Sequence, residues 1–364
     1  MEIGIIGLPK SGKTTLFNSL TKGKAETAAY STAALEPNIG VTKVPDQRLR
    51  ELEAKFKPKR TIPAEVKYID VAGAAKGWGR GEGLGGELLV YLSKVDALIH
   101  VVRIFEDEGI PHIEGSVDPR RDLATVDLEL SFSDLGIVEK RLKRIEDSLK
   151  GAKSPERETI LREQALLERI RGSLEKEVPL QEQGLSLEES KVIENYQFLT
   201  AKPMLVVLNI GEPQLAQAAS LEAEIGALYP RLRVAALCGK LEMELAELSE
   251  AEAEEFRTTL DMGESGLDRL IRLSYQLLGM ISFFTTASGE VKAWTITRGT
   301  TAVKAAGKIH SDMERGFIRA EVISYDDLVK CGGLAEGRKQ GLLRLEGKGY
   351  PIQDGDVITF LFNV

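Results

Sequence analysis

Cysteine is scarce: Cys238 and Cys331 are the only two in 364 residues. Neither sits in a CxxC pair or beside a histidine. That excludes a cysteine-based zinc site and a disulfide framework, and it suits a reducing cytosol. No run of 18 apolar residues occurs, so no transmembrane helix and no membrane partner are expected. The opening MEIGIIGLPKSGKT has no basic n-region and no A-x-A-type site, so no signal peptide is expected and a cytoplasmic location is. Positive charge is not in excess: 48 Lys and Arg face 56 Asp and Glu, a net of −8. Bulk electrostatics therefore excludes a dedicated duplex-DNA binder, while a local basic face stays open. With 43% hydrophobic and 29% charged residues the chain is neither disordered nor collagen-like, and its length fits two or three domains.

Short apolar runs recur at 2–6, 97–102, 203–209 and 232–237, rich in Val, Leu and Ile. Strands buried on both faces look like this, as in parallel sheets covered by helices. Residues 39–44 and 65–70 also read as strands. The fold class is therefore α/β, with a mostly parallel sheet and crossover helices. From 127 to 197 no strand-like run occurs. Leu135, Val138, Leu142, Ile145 and Leu149 form a heptad seam, and Ile160, Leu167, Ile170 and Leu174 a second one beyond the turn signal at 151–155. An inserted antiparallel helical hairpin is predicted. The tail changes again: a hairpin over 283–299, a helix at 301–312 and strands at 317–323 and 356–362. It reads as an α+β module long enough to fold alone. The expected domains are 1–126 with 198–281, the insert 127–197, and 282–364.

Gly7-Leu8-Pro9-Lys10-Ser11-Gly12-Lys13-Thr14 fits G-x-x-x-x-G-K-[ST], with an apolar strand before it and a helix after it. Glycines let backbone N–H groups curl round phosphates, and the helix points its positive end at the anion. Lys10, Ser11, Gly12, Lys13, Thr14 and Thr15 are the candidate nucleotide contacts. Lys13 would neutralise the β- and γ-phosphates, and Thr14 would ligate Mg²⁺. Asp70-Val71-Ala72-Gly73 ends the strand EVKYID. Asp70 would hold Mg²⁺ through water, and the Gly73 N–H would sense the γ-phosphate. Seven glycines from Gly73 to Gly86 read as a nucleotide-sensing switch loop.

These motifs, with LEPNIGV (35–41), PDQRL (45–49), VDALIHVVRIFED (95–107) and KAWTITRGTTAVKAAGKIHSDMERGFIRAEVISYDDL (292–328), resemble the Obg-like ATPase family, also called YchF. The similarity covers nearly the whole chain. It implies a Ras-like P-loop domain, a helical insert and a C-terminal TGS module of β-grasp fold. It also implies ATP as nucleotide, Mg²⁺ as cofactor, and the ribosome or its large subunit as partner, with a role in translation-related or stress regulation. RNA would be met through the hairpin and the TGS module, and a monomer is expected.

The residues speak to base choice as well. A guanine-reading loop is N-K-x-D, and here Asn209-Ile210-Gly211-Glu212 stands in its place. Losing a bidentate charged contact costs on the order of 1–3 kcal/mol of discrimination, so guanine selectivity should be weak. The resemblance places adenine against backbone groups near Asn209 and Ile210. It also matches a histidine implicated in bacterial members to His112, while His100 is expected only to pack and His310 has no site context. Three positions depart from common patterns. Ala74 follows the D-x-x-G where Ras-type relatives carry Gln. Lys10 replaces the family's Asn, and its ammonium could stand in for a K⁺ ion in catalysis. Ala34 occupies the switch Thr position, with Thr32 two residues away. A slow Mg²⁺-dependent ATPase is the leading reading. A GTPase of the same class, and a nucleotide-gated RNA or ribosome adaptor with little hydrolysis, are the alternatives.

Overall fold

The computed structural model describes residues 1–23, 37–71, 86–150, 154–259, 263–287 and 289–363. Its strands are β1 (Glu2–Ile6), β2 (Asn38–Lys43), β3 (Arg60–Ile62), β4 (Glu65–Asp70), β5 (Ala97–Arg103), β6 (Met204–Asn209), β7 (Arg233–Leu237), β8 (Met280–Thr285), β9 (Glu290–Thr297), β10 (Phe317–Ser324), β11 (Arg344–Glu346) and β12 (Asp356–Phe362). The helices that matter below are α1 (Lys13–Thr21), α2 (Gln47–Phe56), α3 (Gly86–Lys94), α4 (Pro119–Leu149) and α5 (Ser154–Leu174). The chain forms two compact units: 1–41 with 67–267, and 42–66 with 268–364.

The first unit is built on a six-stranded sheet, β2-β4-β1-β5-β6-β7, in which β4, β1, β5, β6 and β7 are parallel. Every residue of β5 is buried, as expected of a strand covered on both faces. The parallel direction brings the carboxyl ends of β1, β4, β5, β6 and β7 to one edge. Open α/β sheets bind their ligands at that edge.

Helix α4 begins where Asp118 caps the backbone N–H groups of Arg120 and Arg121 at 3.1 and 3.2 Å, with Pro119 in the first turn. It then runs unbroken for 31 residues. The expected boundary at 126/127 therefore falls inside one helix. Leu123, Val126 and Leu130 pack onto the sheet, while Val138, Leu142 and Ile145 pack with Leu167, Ile170 and Leu174 of α5. Sequence periodicity marks the seam but not where its partner changes. Arg141 locks the pair with a two-pronged ion pair to Glu163, at 2.8 and 2.7 Å.

The second unit carries the sheet β11-β10-β12-β8-β9-β3. Helix Ala302–Ile309 buries Ala302, Ala305 and Ala306 against Phe283, Ile296 and Val322. The predicted helix at 301–312 breaks at His310, whose ring accepts the N–H of Asp312 at 3.2 Å and starts Ser311–Arg315. Residues 42–66 belong to this unit rather than to the NTPase domain assigned from sequence. β3 extends the sheet beside β9 in parallel register. From α2, Arg48 lies 5.4 Å from the Phe284 ring centroid and pairs with Asp46 and Asp354 at 2.8 and 3.1 Å. Residues 282–364 alone lack this cover over Phe284, which is fully buried. Exposing it costs about 1.5–3 kcal/mol, which lowers the melting temperature of so small a domain by roughly 10–20 °C. A thermal melt of fragment 282–364 that matches the unit's transition in the full chain would contradict this.

Candidate nucleotide site

The loop between β1 and α1 curls tightly. Gly12 stands at φ 95° at the start of α1, and Lys10 also takes a left-handed φ of 64°. Lys13 folds back over the loop, donating to the carbonyls of Gly7 and Leu8 at 3.0 and 2.9 Å. Burial pulls the Lys13 ammonium down to about 8, against the opposing pull of Asp70. Ser11 Oγ is buried beside it with no hydrogen-bond partner among the described residues. An orphaned hydroxyl and a desolvated cation at a helix N-terminus fit an oxyanion.

On one side of the loop the Thr14 hydroxyl donates to Asp70 Oδ2 at 2.8 Å, and Asn38 Nδ2 reaches the same oxygen at 3.4 Å. Asp70 is buried at the end of β4, opposite Ile5 of β1. A hydroxyl and a carboxylate side by side are the hard oxygen donors that a small divalent cation takes when phosphate oxygens and water complete its shell. The residues present therefore fit Mg²⁺.

On the other side, Asn209 ends β6 and holds two loops together. Its Nδ2 donates to Ser11 O at 2.9 Å, and its Oδ1 accepts Gly239 N–H at 3.0 Å. Both ends of the amide are occupied, so the side chain braces the phosphate loop. Ile210 lies in the core with Val206, Leu208 and Leu241, and its N–H donates to Leu237 O at 3.0 Å. Glu212 is exposed and 3.5 Å from Lys240.

The structure brings Ser11, Lys13, Thr14, Asp70 and Asn209 together. His112 is placed differently. Its ring is buried, Nε2–H donates to Asp122 Oδ2 at 2.9 Å, and Nδ1 accepts the Glu114 N–H at 3.1 Å. This tautomer follows from the partners. Lys10 Nζ points to Pro111 O at 3.5 Å, one residue before His112. His100 is fully buried in β5, as expected of a packed residue, and burial lowers its pKa to about 3. Thr32, Ala34, Gly73 and Ala74 lie outside the described residues. Asp122 and Asn38 escaped the sequence reading. Asp122 carries no motif, while Asn38 stands out only as part of LEPNIGV.

A strand–loop–helix bearing G-x-x-x-x-G-K-T at the carboxyl edge of a parallel sheet, with Asp70 facing Thr14, defines a P-loop NTPase. The comparisons agree. The MMR_HSR1 model, described as "50S ribosome-binding GTPase", matches residues 2–132. The YchF-GTPase_C model, described as "Protein of unknown function (DUF933)", matches 280–363. The "Ribosome-binding ATPase YchF" of Bacillus subtilis is 43% identical over the full length of both chains. That of Escherichia coli O157:H7 is 41% identical over all of this chain and 99% of its own. The solved "Structure of the Schizosaccharomyces pombe YchF GTPase" aligns with a TM-score of 0.86 at 34% identity, covering 99% of this chain and 97% of that one. The chain belongs to the YchF family.

Proposed function

We propose that the protein is a cytoplasmic, Mg²⁺-dependent ATPase that binds the ribosome or its large subunit. The observation that carries the choice of ATP is the turn after β6. Ile210 stands where the guanine-reading loop has Lys, with its side chain in the core, and Glu212 replaces the Asp and is exposed beside Lys240, so the carboxylate that reads guanine is missing. The Asn209 backbone carbonyl already accepts the N–H groups of Ile104 and Phe105 at 2.9 and 3.2 Å, so the backbone group proposed to meet the base is the Ile210 carbonyl. A carbonyl acceptor suits the N6 amino group of adenine and repels the O6 of guanine. Relatives 41–43% identical along the whole chain are named ribosome-binding ATPases, which supports the same reading. ATP is expected to bind at least as tightly as GTP when the two dissociation constants are measured side by side. A tenfold preference for GTP, about 1.4 kcal/mol, would overturn the assignment.

In the proposed reaction water attacks the γ-phosphorus and the bond to the β-phosphate oxygen breaks, giving ADP and phosphate. Lys13 and the loop N–H groups stabilise the charge on the transferring group. Thr15 and the Gly73 N–H join them at the phosphates. Thr14 and Asp70 would hold Mg²⁺, which when bound neutralises charge on the phosphate oxygens. His112 positions water once its ring leaves Asp122. The hairpin and the C-terminal module would each meet RNA, and the protein would act as a monomer. The residues at 136–197 and 282–364 carry net charges of −1 and +1, so RNA repels them less than it repels the rest of the chain. No described helix is long and apolar enough to cross a membrane.

Lys10 would place a cation near the β- and γ-phosphates on swinging from Pro111. Hydrolysis is then expected to differ little between K⁺ and Na⁺ buffers. Lys10→Asn should be slower in Na⁺ and recover partly in K⁺. Strong K⁺ stimulation of the wild type, with Lys10→Ala unchanged in rate, would refute this role. One observation favours the adaptor reading: both ring nitrogens of His112 are bonded within the protein. Single-turnover hydrolysis with and without ribosomes separates the two readings.

A further inference from the structure

Helix α3 follows the Asp70–Gly73 motif in the chain, and its C-terminal half lies directly on β1. Leu92 is fully buried there, and a Cβ on Gly4 would stand 2.9 Å from Leu92 Cδ2. Strand β1 leads straight into the phosphate loop. The far end of α3 is held by a residue distant in sequence. Lys202 Nζ donates to Ser93 O at 3.0 Å and to Val95 O at 2.7 Å. The last carbonyls of a helix are where its dipole favours a cation.

Lys202 is itself tied to the root of the helical hairpin. Asp134 of α4 accepts the N–H groups of Leu199 and Thr200, both at 2.8 Å, and the Thr200 hydroxyl at 2.7 Å. Thr200 Oγ1 accepts in turn from Leu180 N–H at 3.3 Å. Asp134 has no exposed surface, and Lys202 is buried. Burial lifts the Asp134 carboxyl to about 6, opposed by the Thr200 and Leu199 hydrogen bonds and by the charge of Lys202. A buried carboxylate with three donors resists displacement, because breaking the set strands a charge away from water. Two buried clamps, two residues apart, thus join α4 to α3 through one stretch of backbone.

We propose that Lys202 is a positioning residue that makes α3 and the hairpin root respond together, so that nucleotide at the phosphate loop is felt at the hairpin, and a partner on the hairpin is felt at the phosphate loop. The inference rests on the nucleotide-binding reading above. It goes beyond that reading in naming the path. Coupling of this kind is reciprocal between the two sites.

The test is hydrogen exchange on the full-length chain, with and without a non-hydrolysable ATP analogue and Mg²⁺. In the wild type the analogue is expected to slow exchange at the phosphate loop and, several-fold, at 130–135 and 199–202. In Lys202→Met the phosphate loop should still respond while 130–135 and 199–202 fall silent. Lys202→Arg, which keeps the cation and its donors, should restore the response. If Lys202→Met does not fold, Lys202→Gln takes its place. A hairpin root that responds equally in wild type and neutral variant, or in neither, overturns the coupling alone. A wild type whose phosphate loop gains no protection overturns the nucleotide reading and this inference with it.

Discussion

Lys13→Ala is expected to reduce hydrolysis by roughly 100-fold or more while leaving the fold intact, since one preorganised charge at the transferring group is worth several kcal/mol. The side chain is buried and, among the described residues, its hydrogen bonds go to the Gly7 and Leu8 carbonyls of the loop. Its removal relieves the cost of a desolvated cation, which offsets the packing lost with its stem. The melting temperature should therefore move little, and a thermal melt beside a steady-state assay checks both halves. Wild-type turnover in a folded variant would remove the P-loop assignment. The same residue sets a pH dependence. In the free protein the Lys13 pKa lies near 8, below its ordinary 10.5, because burial disfavours the charge. Triphosphate restores the charge, so binding above pH 8 takes up a proton. Affinity for ATP is expected to fall as pH rises past 8, by up to about tenfold per unit, until the pKa of the bound state is reached. The sign for folding is opposite. Between 8 and 10.5 the unfolded chain holds more protons, so Lys13's contribution to stability rises with pH there.

Gly12→Ala is expected to disable the site from the other direction. A Cβ on Gly12 would stand 2.0 Å from Asn209 Nδ2, and the backbone φ is 95°. Strain at such a φ costs on the order of 1–3 kcal/mol, and expelling Asn209 forfeits its bonds to Ser11 and Gly239, about 1 kcal/mol each. Together these come to about 3–5 kcal/mol borne by the folded loop, shared between a lower melting temperature and a loss in nucleotide affinity expected to reach about 100-fold. Titration with a fluorescent ATP analogue reads the first effect. Wild-type affinity in this variant would mean that Asn209 does not brace the loop.

The two substitutions differ in how visible they are before folding. Lys13 and Thr14 are legible because the motif is contiguous: eight residues specify the turn, the helix start and the phosphate contacts. Asp70 is nearly as legible, since a strand ends on it at a familiar distance from the loop. The bracing role of Asn209 is not, because its partners Ser11 and Gly239 lie 198 and 30 residues away and meet only when β6 enters the sheet beside β5. The His112–Asp122 pair is hidden for the same reason, although only ten residues separate the two. The turn between them has no periodicity to read.

By itself the sequence determined the P-loop, the mostly parallel sheet, the helical hairpin and the C-terminal module, because each is written in local chemistry or in a short repeat along the chain. Tertiary structure alone decided three other things. Residues 42–66 group with the second unit because β3 finds its hydrogen bonds beside β9 and Arg48 covers Phe284. Helix α4 serves both the sheet and the hairpin because its apolar stripe continues past the point where its partner changes. Asp134 and Lys202 reach Thr200 and the end of α3 because charges taken out of water must find partners wherever the fold brings them, and no spacing in the sequence records those meetings.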